Sequence, residues 1–329
     1  MAIAERKREL VGLGIELRSV TVNDVDFILE LRARETSRTS YINPVSLSVP
    51  DQKEWILKQQ QKIGDYYFVI VNRFTGEPEG LIGLYDVADG VAEWGRWVVR
   101  PSSLAAVESV LLLMSFSFEA LGLQKLYSRT VEENSAVVKF HDSYAQRAPS
   151  SVPFVTELRG VNFPTVEHQI TAVEFNVNVK RKWKVLQNRL FDRQIRAELG
   201  AFDFHHLGIA TKSINEARHG FELLGYQEEA SFSDDKQGVK GLFMTSKNQP
   251  RIELLENLSG SNVLNSWLKH SVAVYHSAYH VTSLDRALWL FEKLDFRRIS
   301  SVKMSEYFNA PIVFMVLPNR FLIELIERS

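Results

Sequence analysis

The spacing of hydrophobic and polar positions changes several times along the chain, and each change marks an element. Alternation runs through Ile15–Val20, and Val25, Ile28, Leu29 and Leu31 then fall at helical spacing behind Asn23 or Asp24 as N-cap. A second helix is predicted over Asp51–Lys62. Two β-rich runs, Tyr66–Val71 and Gly80–Tyr85, flank a turn at Thr75–Pro78, and Asp89 with Gly90 makes a hairpin into Val91–Val99. This part reads as an antiparallel meander. A long apolar helix is predicted from Leu104 to Leu121, stopped by Gly122, then a strand at Lys125–Val131 and a helix opening near Asn134. Two β-rich stretches follow, Val152–Gly160 and Gln169–Val179. Lys180–Gly200 reads as a basic helical linker packed through Val185, Leu186, Leu190 and Ile195. Strands followed by a helix–strand–helix unit and a closing hairpin form an α+β layout.

Beyond residue 202 the pattern occurs twice. Shifted by seventy positions, Ser213–Tyr226 lies over Ser283–Phe296 without a gap, and Ala217, Phe221 and Leu224 recur as Ala287, Phe291 and Leu294 on one helical face. A strand carrying a histidine precedes each copy, at His206 and His276. A near-identical strand follows each, Arg251–Glu256 and Leu322–Glu327, containing Glu253 and Glu324. Strands at Glu228–Ser233 and Lys240–Thr245, and at Arg298–Met304 and Ile312–Leu317, complete two βαβββ modules. Neither module can bury both faces of so small a sheet, so two side by side make one curved sheet with a cleft. Side chains alternate along a strand, so each histidine and its glutamate can face the same concave surface. His206, Glu253, His276 and Glu324 then make a divalent-metal site with positions left for water or substrate. Mixed nitrogen and oxygen donors suit zinc, iron, cobalt, nickel or manganese.

Composition narrows the partners. The 329 residues carry a net charge of −1 and no cysteine, which excludes disulfides, thiolate ligands and a cysteine nucleophile, and gives no electrostatic argument for nucleic acid or an anionic membrane. The charged start of the chain lacks the apolar core of a secretory signal, and Val110–Phe118 is too short to span a bilayer. A cytoplasmic protein acting on small molecules is expected, with a homodimer left open. The expected domains are 1–188 and 202–329, with a helical linker at 189–201.

The first region resembles the GNAT acyltransferases. Leu121–Tyr127, Glu133–Asp142 and Arg32–Asn43 are similar to stretches of the sugar-nucleotide N-acetyltransferases of the pseudaminic-acid pathway. The resemblance implies acetyl-CoA in the splay between that fold's fourth and fifth strands, with its pyrophosphate on amides at the start of the long helix. On this basis Val98, Arg100, Ser102, Ser103, Leu104, Ala105 and Asn134 are the cofactor-binding residues. His141 takes the place of a tyrosine that protonates the leaving thiolate, and Glu93 polarises the acceptor amine. The chain departs from the family in Val99–Ala106, which lacks the usual two glycines, and in Ala145 and Gln146, where a Gly-Phe pair is usual. Taken by themselves, His141 flanks a helix, Glu93 is a solvated strand residue, and Arg96 and Arg100 are surface charges.

The duplicated region is similar to the vicinal-oxygen-chelate (VOC) superfamily, in particular its methylmalonyl-CoA epimerase branch, through Lys236–Val239, Glu253–Lys269 and Val274–His276. The resemblance implies metal-assisted proton transfer on a carbon acid. The branch's base aligns with Gly241, which leaves Glu324 as ligand and base, or Lys240 in its stead. His205 and His280 are expected to face the other side of their strands from the ligands or to lie off the centre. The expected whole is a two-domain enzyme that joins an acetyl-CoA-dependent N-acyltransferase, acting on an amino-sugar nucleotide or another amine, to a metal-dependent VOC domain. The alternatives are an active VOC domain with a degenerate partner, acting as epimerase, isomerase or lyase, and a small-molecule-binding protein without catalysis.

Overall fold

Tyr66–Asn72 is buried along almost its whole length, as a strand in the middle of a sheet must be. In the computed structural model, which describes residues 10–33, 40–43, 45–101, 103–150, 154–270 and 273–328, the chain divides into two units, 1–191 and 192–329. Tyr66–Asn72 is β3 of the first. Its companions are β1 (Leu10–Val11), β2 (Ile15–Ser19), β4 (Pro78–Ala88), β5 (Val91–Val99), β6 (Lys125–Val131), β7 (Gln146–Arg147), β8 (Phe154–Leu158) and β9 (Val161–Thr171). The sheet order is β1-β2-β3-β4-β5-β6-β9-β7, with β8 paired to β9. Helices α1 (Val25–Ala33) and α2 (Val49–Gln61) cover one face over Val69, Val71, Leu81 and Val98. Helix α3 (Ala105–Ser115) covers the other, over Phe68, Ile70, Ile82 and Leu84.

The pair β5/β6 is parallel and short. It pairs only Val91–Glu93 with Lys125–Tyr127, and beyond that point the strands part. Three residues past Glu93, Arg96 takes φ +49°. A non-glycine residue there costs of order 1–3 kcal/mol. Its guanidinium is held by a two-pronged pairing to the buried Asp65 at 2.6 and 3.1 Å and lies 4.4 Å from the Tyr85 ring centre. Arg96 is therefore an anchored bulge residue rather than a surface charge.

After β6 comes α4 (Ser135–Asp142). The stretch Gln169–Val179 departs from the expected strand: β9 ends at Thr171, whose hydroxyl and Glu174 form a reciprocal capping box that starts a helix. Helix α5 (Ala172–Glu174), a π turn at Phe175–Val179 and α6 (Lys180–Leu199) follow without a break. On α6, Ile195 is buried as expected, together with Trp183 and Leu199, and Leu190 is half-buried, while Val185 and Leu186 are exposed. The long apolar helix likewise ends in a π turn, Phe116–Ala120.

The second unit contains β10 (Phe202–Ala210), α7 (Ile214–Glu222), β11 (Gln227–Asp234), β12 (Val239–Ser246), β13 (Gln249–Asn257) and the short α8 (Asn265–Lys269). The second copy supplies β14 (Val274–Val281), α9 (Leu284–Lys293), β15 (Arg297–Arg298), β16 (Lys303–Ser305), β17 (Ala310–Val316) and β18 (Leu322–Glu327). The expected strand Arg298–Met304 is thus two short pieces. The sheet order β11-β12-β13-β10-β14-β18-β17-β15, with β16 on β17, places the two copies about the antiparallel pair β10/β14.

Duplication extends to the helix caps. Ser213 and Ser283 cap α7 and α9, and Glu256 and Glu327 accept the first helical amides, those of Ile214 and Leu284. Among the described residues, no helix is long and apolar enough to cross a membrane.

Candidate active sites

In the second unit the strand registers place the expected ligands. Glu253 on β13 pairs with Gly208, two residues past His206, and Glu324 on β18 pairs with Ala278, two residues past His276. Across β10/β14, His206 lies opposite Ala278 and Gly208 opposite His276, so the histidines sit diagonally about a pseudo-two-fold axis. The two Nε2 atoms are 3.2 Å apart. His206 Nε2 lies 3.0 Å from Glu253 Oε2 and 3.5 Å from Glu324 Oε2, and His276 Nε2 lies 3.8 and 3.5 Å from the same oxygens. All four residues are buried.

These groups fit a divalent cation. Donor atoms about 2.1 Å from a common centre lie about 3.0–3.4 Å apart in octahedral or tetrahedral sites, close to the observed spacing. Two facing imidazole nitrogens share at most one proton, and Glu324 Oε2 is buried without a hydrogen-bond partner. Burial lowers the His206 pKa to about 3 and raises that of Glu253 to about 7. A neutral imidazole is the form that ligates.

Gly208 makes the arrangement possible: a β-carbon there would stand 1.9 Å from His276 Cε1. Gly241, where the epimerase base was expected, is opposite Phe232, whose ring lies 2.2 Å from where a β-carbon would be. Lys240 is exposed and paired with Glu256 at 2.9 Å, so it does not replace that base. His205 lies off the centre, beside His206. It sits at a bulge with Nδ1 2.7 Å from His206 Nδ1, and Arg251 donates to its Nε2 at 2.6 Å. A cleft of about 360 Å³ opens onto Glu253, His276 and Glu324, walled by Trp267, Tyr275 and Phe314.

In the first unit, a cavity of about 330 Å³ occupies the parting of β5 and β6. Val98, Asn134 and His141 of the expected residues line it. A second cavity of about 670 Å³ is lined by Glu93, Trp55, Tyr67 and Arg32, and the two share Tyr41, Ile42, Gly95, Arg96 and Arg129. Glu93 accepts from Tyr85 Oη at 3.3 Å and from Arg129 at 3.4 Å. Burial holds its carboxyl above the ordinary range. His141 is buried, stacked on Trp94 at 5.0 Å, with its pKa lowered to about 3 by burial and then by His168.

Arg100, Ser103, Leu104 and Ala105 do not line either cavity. Arg100 pairs with Glu30 at 3.2 Å, and Ser103 Oγ donates to Glu79 at 2.5 Å and caps the Ala105 amide. Ser102 lies outside the described residues. Ala106, which was not expected, lines the splay cavity instead.

Residues 15–144 match the acetyltransferase (GNAT) domain family, and residues 205–314 match the glyoxalase/bleomycin resistance protein/dioxygenase superfamily. The chain joins a GNAT domain to a glyoxalase-superfamily domain. Similar solved structures include a GCN5-related N-acetyltransferase from Brucella melitensis, at 18% identity over 55% of this chain and 86% of that one, with a TM-score of 0.49. Another is apo FdhC, described as a nucleotide-linked sugar GNAT, at 24% identity over 56% of this chain and 99% of that one, TM-score 0.45. A third is the Vibrio cholerae spermidine N-acetyltransferase in complex with CoA and spermine, at 19% identity over 50% of this chain and 99% of that one, TM-score 0.44. Among curated proteins, none matches the chain. The splay cavity is lined by residues of the first match, and His206, Glu253 and His276 fall within the second.

Proposed function

We propose that the GNAT domain transfers an acetyl group from acetyl-CoA to an amine. The observation that carries this is the meeting of two cavities at Gly95, Arg96 and Arg129, with His141 on one and Glu93 on the other. The thioester enters through the splay and the amine through the larger cavity, and both are held where the strands part. Glu93, kept proton-hungry by burial, takes the proton that the amine sheds. Aromatic walls at Trp55 and Tyr67 with Arg32 nearby suit a base and phosphates, so an amino sugar on a nucleotide is the preferred acceptor. Calorimetric titration of the whole protein with acetyl-CoA tests the reading. Saturable binding supports it, and no binding at about 1 mM ligand, near −4 kcal/mol, overturns it.

We further propose that the glyoxalase-superfamily domain works on a small carbon acid with a divalent ion held by His206, Glu253, His276 and Glu324. The ion would supply Lewis acidity toward a substrate oxygen, making an adjacent C–H easier to ionise. Glu253 and Glu324 are the only carboxylates lining the cleft among the described residues. Glu324, which borders the cleft, is the group assigned to take the proton, through the carboxylate oxygen that the ion would leave free. Metal content after reconstitution tests this. About one equivalent in the wild-type protein, lost in His276→Ala, is expected, whereas a wild-type value below about a tenth would sink the reading.

A further inference from the structure

His141 has two hydroxyl neighbours on one nitrogen. Ser128 Oγ on β6 lies 2.8 Å from its Nδ1, and Tyr144 Oη lies 3.1 Å from the same atom. Neither hydroxyl has another hydrogen-bond partner among the described residues. Among the described residues Nδ1 is the one acceptor within reach of either hydroxyl hydrogen, so a lone pair there accepts one of them, whereas a proton there would leave both without one. The proton of the neutral ring therefore belongs on Nε2. With Nδ1 turned to the hydroxyls and the ring lining the splay cavity, Nε2 is the nitrogen left for a ligand.

The surroundings also disfavour an imidazolium. The ring is buried, which penalises its charged form, and His168 of β9 lies 5.2 Å away. The nearest carboxylate, Asp142 on α4, is already engaged by His168 at 2.9 Å and by Arg147 at 2.8 Å. Tyr144 adds a neutral phenol, kept so by burial.

We propose that His141 stabilises the departing CoA thiolate as a neutral N–H donor, and that Ser128 and Tyr144 are the positioning residues that hold it in that tautomer. This rests on the acyl-transfer reading. In the step, the amine nitrogen bonds to the acyl carbon and the C–S electron pair leaves with sulfur. The amine's surplus proton goes to Glu93, and Nε2–H keeps its own proton while hydrogen-bonding the thiolate. A fixed neutral donor aimed at a developing anion needs no proton transfer to act.

The lock is read first by nitrogen NMR of the ¹⁵N-histidine-labelled whole protein, with His141 assigned through His141→Phe. A protonated Nε2 and a bare Nδ1 are expected, unchanged between about pH 5 and pH 8. The Ser128→Ala/Tyr144→Phe protein should show a mixture of tautomers, and Tyr144→Phe alone, which keeps the ring, an intermediate one. The role is read with CoA alone as probe, from the ultraviolet absorbance of its thiolate. Bound CoA should ionise about one unit or more below a free thiol at about 8.5, a tenfold or greater shift in the equilibrium. His141→Phe should abolish that shift and the double variant reduce it.

A proton on Nδ1, a ring that titrates within that range, or a double variant with the wild-type nitrogen spectrum would each overturn the lock. A bound thiol that ionises like the free one would overturn the role. If calorimetry shows no CoA binding, the acyl-transfer reading fails and the role with it, while the nitrogen spectrum still decides the lock.

Discussion

Gly208 fixes the place of a histidine that belongs to another strand. Its missing side chain is the space into which the His276 ring fits, so Gly208→Ala should push that ring aside and weaken divalent-metal binding by at least tenfold. Metal affinity by competition with a chromophoric chelator, alongside circular dichroism to confirm the fold, measures this. His141 makes a prediction of the opposite kind, in stability. Its folded pKa, lowered to about 3, lies below the ordinary 6.5. Between those values the unfolded chain binds a proton that the native one refuses. Stability should therefore fall as pH drops through that window, by up to about 1.4 kcal/mol per pH unit from this group. His141→Phe should flatten the slope of unfolding free energy between about pH 4 and pH 6, and an unchanged slope would contradict the burial argument. The two histidines and two glutamates that meet in the second unit were legible as a group because duplication prints them at nearly equal offsets. Gly208, Ser128 and Tyr144 were not, since each acts on a residue from another element and leaves no local pattern.

At the scale of elements, the strands β11 and β12 explain the missing base. Phe232 occupies the room that a side chain at position 241 would need, and it stacks on Phe243 and Tyr307. Gly241→Glu alone should therefore destabilise the domain by about 1–3 kcal/mol through overpacking, and Gly241→Glu/Phe232→Ala should recover part of the loss. Denaturant unfolding of both variants decides it. A second clamp holds α3: Glu108 accepts the amides of Leu13 at 2.5 Å and Gly14 at 3.2 Å, and the side chain of Gln187 at 2.6 Å. Glu108→Ala orphans these donors and should cost about 2–4 kcal/mol. Most elements were legible from periodicity, and β6 kept its expected ends. The exception at Gln169–Val179 had a readable cause, since Thr171 and Glu174 form a capping box that a β-rich composition conceals.

At the scale of the whole molecule, each unit has its own buried clusters, around Phe68 and Val69 in the first and around Leu254, Leu255 and Ile326 in the second. Each also has its own expected ligand. Acetyl-CoA should raise one unfolding transition and a chelator lower the other, by RT ln(1 + [L]/Kd) in each case, so scanning calorimetry should separate them. Two domains and their order were legible in the sequence. The cavities were not, because their walls come from segments far apart in the chain, as Trp55, Glu93 and Arg129 do. The pseudo-two-fold axis is also imperfect in the walls of the cleft. Phe232 packs beside Gly241 in one half, while the matching position of the other half is Ile312 on β17. Here an aromatic ring stands on one side and an aliphatic branch on the other, so the two ends of a small molecule seated in the cleft would meet different surfaces and it would have one preferred way round.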